Sequence, residues 1–351
     1  MKPPRIRTTL HSRRIASKIL YSKVSRSCAA LLAWAACLVA EQHTVVPELS
    51  GELKGTCVRF NTAYIPSHNS YADKFGFTLA MNKYGDMTSE EYSQSMRCVE
   101  KFLLPSSPSR PTQPPVSGIR TCHSLMAPNT PETVCPEEVD WRTKGAVSAV
   151  KDQGRCKSCY AFATTAALEG MHALATGRLV PLSEQNVIDC SVPYGNRGCS
   201  GGSRMATIMY AVDNGGIDGT SSYPYLGRQY LCKFTEESIA TGCTGMVRIK
   251  RGKEQDLKKA VAVVGPVTVA VDSRHTSFQF YASGIYSEPS CSRTKLTHTL
   301  IIIGYGSKSG HDYWLLKNSW GTSWGEDGYI MMSRNYANQC GIATKAMYTT
   351  I

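Results

Sequence analysis

The stretch Gln153-Gly-Arg-Cys-Lys-Ser-Cys-Tyr-Ala-Phe162 decides how this chain is read. From it runs a helical stripe: Cys159, Phe162, Ala163, Ala166, Ala167, Gly170 and Leu174 recur at i, i+3, i+4, i+7, i+8, i+11 and i+15, with Gly177 as a stop. Small residues on the stripe permit close packing, so the pattern predicts a buried central helix. Cys159 then stands at the helix N-terminus, where unpaired N–H groups and the macrodipole favour an anion. A thiol is a poor nucleophile until it is ionised, so this placement suits a reactive cysteine.

Outward from that helix, Ser183 reads as the N-cap of a second helix through Cys190. Glu254 to Val263 reads as a third, bounded by Gly265-Pro266. Residues 51 to 103 look helical, with a short extended piece near Phe77 to Met81. The last third is β-rich: Val267–Val271, Thr299–Tyr305, Tyr313–Lys317 and Gly328–Ser333. Helices first and an antiparallel sheet later predict an α+β protein with a helical lobe and a sheet lobe.

His298 precedes one of these strands and Asn318 ends another, with the turn Gly306-Ser-Lys-Ser-Gly310 between them. A hairpin symmetric about Lys308 sets His298 directly opposite Asn318, with Cβ atoms about 4.5–5.5 Å apart. The asparagine oxygen would then hold the imidazole, and a one-residue slip would separate the two onto opposite faces. An imidazole beside Cys159 favours the thiolate–imidazolium pair. The Gln153 amide and the Cys159 backbone N–H make a candidate oxyanion hole.

The net charge of +12 is concentrated at the start of the chain. Lys2, Arg5, Arg7, Arg13, Arg14, Lys18, Lys23 and Arg26 precede residue 27 with no acid among them, so the remainder has only a mild excess. No Lys/Arg cluster of the kind that binds nucleic acid stands out after that point in the sequence. Residues 28 to 40 form a thirteen-residue apolar run ending in small residues, the layout of a secretory signal peptide, although the acid-free lead also fits a transit peptide. No other stretch is apolar enough to predict stable membrane insertion. Nine of the fourteen cysteines fall between Cys135 and Cys340, which argues for an oxidising compartment. Cys and His lack metal-ligand spacing, and no cofactor or metal is expected.

Taken together, Gln153-Gly-x-Cys-x-Ser-Cys159-x-Ala-Phe, Leu182-Ser-Glu-Gln-Asn-x-x-Asp-Cys190, Gly198-Cys-x-Gly-Gly202, His298 and Asn318-Ser-Trp-Gly-x-x-Trp-Gly325 resemble the papain family of cysteine peptidases, in the cathepsin L, K and S group. The resemblance implies a papain-like two-lobe fold, a helical lobe plus an antiparallel β-barrel-like lobe, preceded by a mainly helical propeptide. It implies an endopeptidase made as a zymogen, with Cys159, His298, Asn318 and Gln153 catalytic and a thioester acyl-enzyme. It divides the chain into a basic lead and signal-like segment (1–40), a partial inhibitory propeptide (41–104), a linker with the maturation site (105–133) and the peptidase domain (134–351). Asn61, Ile65 and Asn69 fit half of the family's inhibitory helix, and Asn82-Lys-Tyr-Gly-Asp86 its short strand motif. Ser50, Lys54 and Val58 depart from the other half. By position, the resemblance pairs Cys156 with Cys199, Cys190 with Cys232 and Cys291 with Cys340. Cys135 and Cys243 either pair with each other or stay free. Protein or peptide substrates, cystatin-like inhibitors, a monomeric state and a lysosomal or secreted location follow from the same likeness.

The resemblance assigns substrate binding to Gly201, Gly202, Ser203, Arg204, Ala270, Leu296, Thr299, Trp320 and Lys345. Arg204 at the rim and Lys345 at the deep end would make the pocket for the second residue upstream of the cut basic, favouring acidic or polar side chains. Lys157 stands where the family has glycine; a positive φ there would cost energy. That residue supports a second reading, a weak or inactive homologue that binds peptides or inhibitors.

Overall fold

The computed structural model describes residues 51–96 and 135–351. The signal-like run and the linker lie outside the described residues. The chain separates into a unit ending at Phe60 and a unit from Asn61 to Ile351. In the first, Arg59 Nε donates to Gly55 O at 3.3 Å along helix α1 (Gly51–Asn69). In the second, α1 is followed by α2 (Ala72–Phe75), β1 (Phe77–Leu79) and α3 (Ser89–Met96).

Two asparagines of the predicted motif act as backbone clamps. Asn69 accepts from Leu79 N and donates to Leu79 O, both at 2.8 Å, and Asn61 Nδ2 donates to Gly85 O at 2.8 Å. Side-chain amides can do this because each carries both a donor and an acceptor.

After β2 (Val139–Asp140) come the helices α4 (Cys159–Thr176), α5 (Glu184–Cys190) and α6 (Arg204–Asp213). The strands β3 (Ile217–Asp218), β4 (Ile239–Thr241) and β5 (Gly245–Arg248) lead to α7 (Glu254–Val263), then β6 (Val267–Val271), α8 (Thr276–Gln279) and β7 (Tyr281–Tyr286). The chain ends with β8 (His298–Lys308), β9 (His311–Lys317), β10 (Tyr329–Ser333) and β11 (Met347–Thr350). The caps read from sequence are in place. Ser183 Oγ accepts from Asn186 N at 2.9 Å, and Gly177 ends α4 with φ 74°.

The main sheet runs β1-β7-β10-β9-β8-β6-β11-β5, with β2 added on β8. The predicted sheet was antiparallel throughout; the pair β10–β7 is parallel. The β8–β9 hairpin intervenes in the chain, so β10 returns beside β7 in the same direction, as a crossover allows. One apolar core lies around the sheet, from Val267 and Ile302 to Trp314 and Leu316. A second, with Leu168, Val187, Ile188 and Ile208, holds the helices together. Between them Ala167 of α4 packs with Ile301, Ile303 and Leu315. Gly170 is what permits this approach: a Cβ there would meet Pro266 Cγ at 2.8 Å and Ala146 O at 2.9 Å.

Cys156–Cys199, Cys190–Cys232 and Cys291–Cys340 are disulfides, in the pairing implied by the resemblance. Cys135 and Cys243 are free thiols, which resolves the alternative left open for them.

Candidate active site

His298 and Asn318 meet, but not as a symmetric hairpin sets them. The turn is centred beyond Lys308, which pairs with His311. That register continues to Gly304↔Leu315 and would put His298 and Asn318 on opposite faces. A bulge at Ile303 then shifts the ladder by one, giving Ile302↔Leu316 and Ile301↔Lys317. Extending this second register places Asn318 opposite Leu300, so His298 lies diagonally from it on the same face. The side chains close the gap: His298 Nε2 and Asn318 Oδ1 are 2.8 Å apart.

Asn318 Oδ1 also accepts from Ser319 N at 2.8 Å, which fixes the amide. Trp320 covers the imidazole with ring centroids 4.5 Å apart, and Trp324 packs edge-on against Trp320. His298 Nδ1 is buried without a hydrogen-bond partner among the described residues. Burial lowers His298 from its ordinary value to about 4, partly opposed by the Asn318 bond, so the ring here is neutral.

Cys159 begins α4 and is fully buried. The sequence predicts a free thiol; the sulfur is instead held in a disulfide. Reduction of that bond is therefore needed before the sulfur can act. Gln153 Nε2 donates to Cys156 O at 2.9 Å, and its Oε1 accepts from Ser319 Oγ at 2.6 Å. One of its two amide hydrogens is thus committed to the local turn. Lys157 has no left-handed backbone; its N–H donates to Cys199 O at 3.1 Å, so the expected strain is absent.

An ionic cluster, not foreseen from sequence, lies under the site. Lys151 Nζ sits 2.9 Å from Glu169 Oε1 and 2.6 Å from Glu184 Oε1. Lys317, next to Asn318, donates to Ser148 Oγ at 2.8 Å, and Ser148 Oγ donates to Glu169. Burial works against ionising Glu169, but Lys151 and Lys317 outweigh it and hold the carboxyl below its ordinary value. Burial pushes Lys317 down to about 8. The available signal was a single acid, Glu169, inside a helix of otherwise small or apolar buried residues.

Of the residues that the resemblance assigns to substrate binding, Ala270 pairs with Thr299; Thr268 pairs with Ile301, so Thr268, Ala270 and Thr299 share a face of the sheet. Arg204 reaches that face from α6: Nη1 donates to Thr268 Oγ1 at 3.0 Å and Nη2 to Lys345 O at 2.7 Å. The assignment of rim and depth is therefore reversed, for Arg204 is fully buried and Lys345 is exposed. Gly201 and Gly202 are buried, Ser203 and Leu296 half-buried. Gly202 leaves no room for a side chain, since a Cβ would lie 2.8 Å from the Tyr160 ring and 2.4 Å from Asn196 Oδ1.

The upstream segment packs onto this region. β1 extends the sheet along β7, and Asn82 Nδ2 donates to Gln279 O at 2.8 Å. Tyr84 and Tyr92 stand edge-on to Trp320 at 5.6 and 5.8 Å. Lys83 pairs with Asp152, adjacent to Gln153, at 2.5 Å. His68 lies under β1, stacked on Phe75 (4.6 Å) and against Phe77 (4.7 Å), with Nε2 3.3 Å from Phe77 O.

Comparisons with known proteins converge on one family. The family model described as papain family cysteine protease matches residues 135–350. A silicatein from Petrosia ficiformis is 51% identical over 292 residues, covering 83% of this chain and 85% of its own. Digestive cysteine proteinase 1 from Homarus americanus is 47% identical over 294 residues, covering 83% of this chain and 86% of its own. The structure of digestive procathepsin L 3 from Tenebrio molitor larval midgut aligns with a TM-score of 0.73 at 37% identity, over 93% of this chain and 100% of its own.

Proposed function

Because the chain belongs to the papain family of cysteine proteases and is a cysteine endopeptidase made as a zymogen, we propose that Cys159 is its nucleophile, His298 its acid–base and Asn318 the group that orients the imidazole. The observation that carries this reading is the His298 ring fixed at Nε2 by Asn318, with Nδ1 buried and unpartnered among the described residues. Once Cys159 is reduced, its proton passes to Nδ1. Sγ then adds to the scissile carbonyl carbon, and the oxyanion faces the Cys159 N–H and the remaining Gln153 amide hydrogen. Collapse expels the amine, protonated by His298, and leaves a thioester. A water deprotonated by His298 hydrolyses it and restores the thiol. An epoxide active-site thiol reagent, applied to the matured and reduced protein, should label it and abolish peptidase activity, and Cys159→Ala should prevent both. Labelling that persists in Cys159→Ala would overturn the assignment and favour a weak or inactive peptide-binding homologue.

Residues 134–351 form the peptidase in this proposal, and 41–104 the inhibitory propeptide, released by cleavage within 105–133. The same groove would admit cystatin-like inhibitors. A lysosomal or secreted location is supported by the apolar leader and by three disulfides. Among the described residues no helix is long and apolar enough to cross a membrane.

Substrate choice falls to Arg204, whose guanidinium lies on the sheet face carrying Ala270 and Thr299. Acidic or polar side chains are therefore expected at the second position upstream of the cut. In a peptide-library profile, Arg204→Met should turn that preference toward leucine. A wild-type profile favouring leucine and rejecting aspartate and glutamate would remove this assignment.

Release of the propeptide should respond to acid through His68. Burial lowers its pKa in the docked state, with the Phe77 carbonyl and Glu288 opposing and Tyr64 lying alongside. Undocked, the imidazole titrates near its ordinary value of about 6.5. Docking is thus favoured above that pH and weakened as pH falls below it. His68→Phe keeps an aromatic ring and removes the charge, so the pH midpoint of autoprocessing, followed on gels, should fall. An unchanged midpoint would exclude His68 as the sensor.

A further inference from the structure

Asp152 precedes Gln153 in the chain and is exposed at the edge of the site. The backbone around it is fixed from the far side. Asp152 forms a bridge with Trp320, Gln153 N–H donates to Ser319 O at 2.8 Å, and Gly321 N–H donates to Lys151 O at 3.1 Å. Asp152 Oδ1 accepts from Gly154 N at 2.9 Å, which orients the carboxylate and leaves Oδ2 for another partner. Gly321 keeps that oxygen clear: a Cβ there would lie 2.9 Å from Oδ2.

Lys83 of the upstream segment takes Oδ2 at 2.5 Å, and among the described residues it is the ion-pair partner of Asp152. The residues on either side of Lys83 are pinned to one glutamine. Asn82 Nδ2 donates to Gln279 O and Gln279 Nε2 donates to Tyr84 O, both at 2.8 Å. Tyr84 also stands edge-on to Trp320, so Lys83 links the α8 side of the site to the Gln153 segment beside the indole that covers His298. Lys151, the cation next to Asp152 in the chain, is committed to Glu169 and Glu184. Release of the upstream segment would therefore leave the Asp152 carboxylate in place and without this partner.

We propose that Asp152 selects a basic side chain, lysine or arginine, within the first two substrate residues downstream of the cut. The inference rests on the assignment of Cys159 and His298 as the reacting pair. His298 protonates the leaving amine, so the downstream half of the substrate lies against the imidazole and the Trp320 ring over it. Asp152 is bridged to that tryptophan, whereas Arg204 reaches the sheet face assigned to the upstream half. The groove then carries a guanidinium upstream and a carboxylate downstream, which sets the direction in which a substrate of mixed charge binds. In the zymogen, Lys83 occupies the place of the substrate cation. The Asp152 side chain is 46% exposed, so water and salt screen the pair and the outcome is a several-fold bias rather than an absolute requirement.

At low ionic strength the matured, reduced protein should cleave peptides with lysine at these positions with a kcat/KM about three- to tenfold above that of their glutamate counterparts. The gap should narrow in about 0.5 M salt. Asp152→Asn keeps an acceptor for Gly154 N and should abolish the gap, and Asp152→Lys should reverse it. A merely structural role would not produce that reversal. The choice at the second upstream position should be the same in both variants as in the wild type. Fluorescently labelled lysine and glutamate peptides should bind the matured Cys159→Ala protein in the same order, without catalysis. Hydrolysis that does not depend on Cys159 would remove the reacting pair, and the order of binding would then decide on Asp152 alone. Cleavage and binding indifferent to lysine against glutamate, or a lysine preference that survives in both Asp152 variants, would overturn the proposal.

Discussion

Replacing His298 with alanine is expected to lower kcat/KM by roughly ten thousand- to a million-fold, with little change in substrate affinity. The reason lies in how little else in the site can move a proton. His298 is buried under Trp320, fixed at Nε2 by Asn318, and lies within a region whose other ionised groups are committed to each other. Without the imidazole the thiol loses its base and the leaving amine its acid. The two groups act as a unit, so Cys159→Ala combined with His298→Ala should be no worse than either alone. Single-turnover kinetics of the reduced, matured enzyme on a short peptide would measure this. A His298→Ala enzyme retaining a tenth of wild-type activity would remove His298 from the chemistry. Asn318→Ala should cost less, because the ring remains and only its orientation is loosened.

Glu169→Ala is expected to destabilise the protein by about 3–5 kcal/mol, without touching the reacting atoms. Glu169 has no solvent exposure and accepts from Lys151, Ser148 and Leu182 N. Its loss leaves Lys151 with Glu184 and the Leu182 carbonyl only, Lys317 without the carboxylate behind Ser148, and the Leu182 N–H without its acceptor. Buried charge stripped of its partner is far costlier than the intact pair is stabilising. Urea unfolding would read the effect directly. Because Lys317 adjoins Asn318, residual activity should fall along with stability. A change below about 1 kcal/mol would mean that solvent reaches the cluster.

The central helix, its stop at Gly177, the Ser183 cap and α7 were legible because each depends on residues close together in the chain. Cys159, His298 and Asn318 were legible as the candidate nucleophile, base and orienting group. How His298 meets Asn318 was not: the expected symmetric hairpin was wrong, and the bulge at Ile303 supplies the parity that puts the two on one face. Nothing in the local sequence marks that bulge, since Ile302 and Ile303 are chemically alike. The ionic cluster was equally hidden, since Lys151, Glu169, Glu184 and Lys317 are brought together only when α4 packs on the sheet.

By itself, then, the sequence determined α4, α5 and α7, three of the cysteine pairs and the candidate reacting groups, because capping, periodicity and motif spacing are local or follow from family likeness. Only the tertiary structure decided which residues share a face, which charges are buried, and that Arg204 rather than Lys345 is buried, bonded to Thr268 of the sheet. Those outcomes depend on strand register and on packing between segments far apart in the chain, and a shift of one residue reverses them.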